Sequence, residues 1–144
     1  MPSVPISLRH LATATARIGT TTHLNAANTA AANRLIAAIR DQPTFLVGPE
    51  RLSTAVCQIT KGRIIVKGGN KGAYTAVNTA RRRGYALKID DGAARAADLT
   101  IVWLLRSDGA LATEESYCVS KGTKPTILSY SGHPIGDIKH SIEL

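Results

Sequence analysis

Aromatic residues make up only 4% of the 144-residue sequence, with one tryptophan and one phenylalanine, and there are just two cysteines. So few rings leave little material for the base-stacking platforms of single-strand nucleic-acid binders. Cys57 and Cys118 are too few for a disulfide framework and have no metal-ligand spacing. The expected address is therefore cytoplasmic, with both thiols reduced. No apolar run approaches the roughly 20 residues that a membrane span needs. The start, Met1-Pro2-Ser3-Val4-Pro5, lacks the basic-then-apolar layout of a secretory signal. His10, His23, His133 and His140 form no His-x-x-His or His-Glu-x-x-His pair, so no metal is expected. Gly68, Gly69 and Gly72 fit neither the phosphate-loop nor the dinucleotide pattern, and no cofactor is expected. No serine is followed three positions later by lysine, so the Ser-x-x-Lys nucleophile pair is absent.

Positive charge is plentiful. The formal net charge is +8, and residues 61 to 95 hold nine lysines and arginines against two aspartates, a net of +7. A cluster of this kind steers anionic partners toward one surface, although a solvated basic face is the plainer reading.

Apolar spacing predicts helices over 6 to 18, 25 to 40, 49 to 60, 92 to 106 and 110 to 119. Leu8, Leu11, Thr15 and Ile18 mark the first stripe, with Gly19 as a stop. Ala27, Ala31, Leu35 and Ile39 mark the second, behind an Asn25 cap. Pro49 suits the first turn of the third helix, and Asp90 or Asp91 the cap of the fourth. Between them, 63 to 67, 73 to 79 and 85 to 89 read as strands. Their short connections, one glycine-rich and one at Arg81-Arg82-Arg83-Gly84, favour an antiparallel meander. The end reads as a hairpin with Ser131-Gly132-His133-Pro134 as its turn. The expected fold is α+β, an antiparallel sheet with flanking helices. A single domain is expected over 1–144: helical to 60, a meander over 61–90, helical over 91–119 and a hairpin over 124–142.

Several segments, in order, resemble the bacterial-type asparaginase family typified by the thermolabile rhizobial enzyme. They are Pro5-Ile6-Ser7-Leu8-Arg9-His10-Leu11-Ala12, Leu46-Val47-Gly48-Pro49-Glu50-Arg51-Leu52-Ser53-Thr54 and Lys67-Gly68-Gly69-Asn70-Lys71-Gly72. The most specific is Ala86-Leu87-Lys88-Ile89-Asp90-Asp91-Gly92, and the set closes with Gly132-His133-Pro134-Ile135-Gly136-Asp137-Ile138. The resemblance implies half, the carboxyl-terminal half, of a β-lactamase and glutaminase-like fold. It also implies hydrolysis of L-asparagine to L-aspartate and ammonia by a serine hydroxyl activated by lysines.

Carried over by position, Lys67 matches the family's carboxyl-terminal catalytic lysine. An amine there accepts a proton where burial and neighbouring cations favour its neutral form. Arg51 and Thr54 match the family's Arg-x-Asp-Thr segment, and Gly69 and Gly72 are expected to turn backbone donors toward the substrate carbonyl. The family's Ser-x-x-Lys and its metal segment belong to an amino-terminal half that these residues do not match. Asn70-Lys71 stands for the family's Ala-Glu, and Ser53 for its aspartate, so two carboxylates are missing beside Lys67. The chain alone is accordingly expected to be inactive and to need a partner: a nucleophile-bearing chain or a homo-oligomer, without a membrane or nucleic acid. The ligand implied is a small molecule like L-asparagine. The alternatives are a degenerate, non-catalytic module that uses its basic face and, ranked last, a nucleic-acid binder.

Overall fold

The meander forms where β-branched and aromatic residues alternate between two short turns. In the computed structural model, which describes residues 5–121 and 126–138, β1 (Ile64–Gly68), β2 (Ala73–Asn78) and β3 (Arg83–Lys88) pair antiparallel in the order β1-β2-β3. Lys67 sits opposite Thr75, and Ala76 opposite Tyr85. The third strand begins at Arg83, so Arg83 and Gly84 belong to the sheet rather than to the corner; the turn lies at 79–82.

The sheet is covered on both faces. One face presents Ile64, Val66, Tyr74, Ala76, Tyr85 and Leu87 to the main core. Against it pack α4 (Leu52–Ile59), α5 (Ala94–Ser107) and α6 (Thr113–Lys121). Strand alternation sends Ile65 and Val77 to the other face, where they meet Ile36 and Ile39 of α2 (Ala26–Asp41), beside α1 (Leu8–Thr20). A short α3 (Thr44–Val47) and a 3-10 turn at Asn70–Gly72 complete the main body. The described chain is thus α+β.

Local chemistry explains most boundaries. Ser7 and Asn25 each cap their helix by accepting from the N–H three residues on. Lys61 and Gly62 both take left-handed φ and close α4. Cys57 is buried and Cys118 exposed, both as free thiols. Among the described residues no helix is long and apolar enough to cross a membrane.

Four expectations need correction. Gly19 does not stop α1; it lies inside the helix, buried where a Cβ would come within 2.5 Å of Val77 Cγ1. The helix therefore meets the sheet through small residues, while Leu8 and Ile18 are exposed. In α2 the buried positions are Ala32 and Ile36, one residue out of phase with the expected stripe, and Leu35 is 55% exposed. Alanine around the whole helix leaves the pattern without contrast. Pro49 lies in a turn and α4 starts only at Leu52, because Thr54 ties its first turn to the preceding loop. Finally, α5 starts at Ala94 without a side-chain cap, since Asp91 accepts instead from Ala93 N–H ahead of the helix.

The hairpin is β4 (Thr126–Leu128) with β5 (Pro134–Asp137), a separate two-stranded sheet exposed at every strand position. The expected ends of that hairpin, 124–125 and 139–142, lie outside the described residues.

Candidate active site

A cleft of about 610 Å³ opens at the end of β1, beside the N-termini of α4 and α5. Its walls include Arg51, Ser53, Lys67, Asn70, Tyr74 and Ala94, with Gly68, Gly69 and Gly72 as its backbone edge. β1 and the glycine-rich turn set this edge. Gly68 lies so close to the Tyr74 ring that a Cβ would stand 2.9 Å from its Cζ. Gly72, at φ +67°, backs onto the Ile89–Gly92 turn, where a Cβ would meet Ile89 Cβ at 2.9 Å. Side chains are therefore excluded at both positions, and the turn packs against the start of α5.

Four of the five site residues expected from the sequence line this cleft: Lys67, Arg51, Gly69 and Gly72. Lys67 is exposed, and its Nζ donates to the Gly68 carbonyl at 2.6 Å. Arg51 lines the same cleft, and Lys67 is not buried. Thr54 does not reach the cleft. It is fully buried, and its hydroxyl donates to Gly48 O at 2.6 Å and to Pro43 O at 3.3 Å, fixing the loop before α4. Its neighbour Ser53, about 100° round the helix, lines the cleft instead. Gly69 N–H is spent on Ala73 O at 2.8 Å, so it offers no donor to a substrate.

The sequence reading missed Tyr74 and Asp98. The Tyr74 hydroxyl, at the cleft wall, donates to the Asp98 carboxylate of α5. Burial and that hydrogen bond push the phenol well above its ordinary value, against a smaller pull from Arg51. No local signal marks this pair, because 24 residues separate its members. A second network draws on the basic cluster. Arg81, Arg83 and Tyr85 converge on Asp108, and Arg63 binds Glu115 at 2.7 Å. Three of the nine cations are thus paired with carboxylates from beyond residue 95. Among the described residues no group of His, Cys, Asp and Glu is arranged to hold a metal.

One sequence comparison identifies the family. The model of the family described as L-asparaginase II matches residues 1–140, whereas a search of curated proteins returns no match. A family match over nearly the whole chain, with its glycine-edged lysine at a cleft, gives one conclusion: the chain belongs to the L-asparaginase II family.

Proposed function

We propose that this chain supplies the Lys67 side of an amide-hydrolase site that converts L-asparagine to L-aspartate and ammonia. The serine hydroxyl comes from outside these 144 residues, on a nucleophile-bearing partner or a longer arrangement of the protein. The observation that carries this reading is the placement of Lys67 and Arg51 on one cleft. In the reaction, the serine oxygen adds to the amide carbonyl carbon while its proton passes to the Lys67 amine, a step that requires the free base. The carbon–nitrogen bond then breaks, and the leaving nitrogen takes that proton and departs as ammonia. Water hydrolyses the remaining ester. Arg51 is placed to pair with the substrate carboxylate.

The alternative, a non-catalytic module that works through a free basic face, gains less support. Arg63, Arg81 and Arg83 are engaged within the chain. Ammonia release tests the proposal. The isolated chain is expected to give only background with L-asparagine, because no activated hydroxyl is present. Addition of a Ser-x-x-Lys-bearing family segment is expected to give turnover that Lys67→Ala lowers by on the order of 10²-fold or more. Turnover that survives Lys67→Ala would remove the assigned role.

A further inference from the structure

L-Asparagine brings an α-ammonium as well as a carboxylate and an amide, and no aspartate or glutamate is among the residues that line the cleft. Negative charge reaches the cleft by another route. Tyr74 is 9% exposed and lines the cleft wall. Its ring lies against Gly68, where a Cβ would stand 3.0 Å from the Tyr74 Oη, so the hydroxyl sits at the glycine edge.

The Tyr74 hydroxyl donates to Asp98, which lies about one turn of α5 beyond the cleft residue Ala94. Asp98 makes no ion pair among the described residues, so no lysine or arginine cancels its charge. A phenol whose hydrogen is committed to a carboxylate keeps its oxygen lone pairs for a donor, and the carboxylate polarises that oxygen. Burial and the same hydrogen bond keep the phenol protonated. Arg51 lines the same cleft, near enough for its charge to act on Tyr74.

We infer that Tyr74 receives the α-ammonium of L-asparagine, with Asp98 behind it as a positioning residue that supplies the counter-charge. The inference rests on the proposed amide-hydrolase reading and assigns its specificity: Arg51 takes the α-carboxylate and Tyr74 the α-ammonium, so the cleft selects an α-amino acid over a plain carboxylic acid. The ammonium donates to Tyr74 Oη in a charge-assisted hydrogen bond. Asp98 attracts it across a partly buried wall, where screening is weak. Lys67 has no part in this contact and is left to the reaction.

Calorimetry on the whole chain tests this with L-asparagine, succinamate and L-alanine. Succinamate lacks only the ammonium, and L-alanine lacks the side-chain amide. L-Asparagine is expected to bind at least about tenfold more tightly than succinamate. Tyr74→Phe keeps the ring and is expected to remove most of that difference by weakening L-asparagine alone. Asp98→Asn keeps an acceptor for the Tyr74 hydroxyl without the charge. It is expected to weaken L-asparagine about three- to tenfold and leave succinamate unchanged, whereas a purely structural role would lower both alike. Circular dichroism establishes that each variant folds, and the ratio in the parent chain decides if neither does. Equal binding of L-asparagine and succinamate, or an unchanged ratio in either folded variant, overturns the inference and leaves the amide-hydrolase reading intact. L-Alanine binding as tightly as L-asparagine, with succinamate still weak, supports the ammonium contact and removes the amide reading. No binding of any of the three overturns the inference.

Discussion

Replacing Gly84 by alanine would separate α1 from the sheet, and the size of the effect follows from what the new methyl group meets. Gly84 is the second residue of β3, and α1 crosses it at Ala12 and Ala16. A Cβ at this position overlaps the Ala12 carbonyl oxygen and stands 2.9 Å from both Ala16 N and Ala16 Cβ. Two of these three atoms are helix backbone, so no rotamer change relieves the overlap. Overpacking typically costs about 1–3 kcal/mol when side chains can adjust. A clash with a hydrogen-bonded helix places this one at the upper end, about 3 kcal/mol. For a chain of this size that corresponds to a fall in Tm of about 6–12 °C. Gly69→Ala is the internal control. Gly69 is extended, and its Cβ would meet nothing closer than Ala73 O at 3.5 Å. That change is expected to be neutral or to stabilise by up to about 1 kcal/mol through the unfolded chain. Thermal melts followed by circular dichroism compare the two. Gly84→Ala with a Tm within about 1 °C of the parent would refute the close docking of α1 on β3.

Other consequences can be measured separately. Asp108→Ala is expected to cost about 2–3 kcal/mol in urea unfolding, because it strands the buried Tyr85 hydroxyl. Arg83→Ala, which removes only an exposed pairing, is expected to cost less than about 1 kcal/mol. Desolvation pushes the Glu115 carboxyl up, but the Arg63 hydrogen bond, the Ala112 N–H and the Arg63 charge outweigh it and hold the group below its usual value. Its contribution to stability is therefore present above the unfolded value of about 4.3 and is lost as pH falls through the lower folded value. Glu115→Gln should flatten acid unfolding in that range, and an unchanged profile would contradict the pairing. The exposed Ile6, Leu8, Leu35 and Phe45, together with the apolar side chains of the β4–β5 hairpin, lead us to expect association in solution. Light scattering should then give a mass above 15.2 kDa, and a monodisperse monomer would count against self-association.

Features written in local order were legible in the sequence. The β-branched run Ile64 to Val66 and the glycines after Lys67 marked the meander, and Asn25 announced the start of α2. The broad apolar face of α5 was also readable: Ala97, Ile101, Val102 and Leu105 are all buried. Those four side chains pack into the main core. What stayed hidden depended on distant neighbours. Gly19 looked like a helix stop because nothing nearby in sequence reveals Val77 above it. The basic cluster looked unpaired because Asp108 and Glu115 lie outside the window that contains it. At the site, position in a motif selected Thr54, whereas the turn of α4 delivers Ser53 to the cleft and commits Thr54 to Pro43 and Gly48. Adjacent residues on a helix face different ways, and only the axis of the helix decides which one meets a ligand.

The central claim is that ligands enter the cleft between β1, α4 and α5, and amide NMR of the isotope-labelled chain tests it most directly. On titration with L-asparagine, shifts are expected at Arg51 to Thr54, Lys67 to Gly72 and Ala93 to Ala94. Shifts confined to the apolar groove lined by Ile18, Leu35 and Ile39, or to the 79–82 turn, would contradict it.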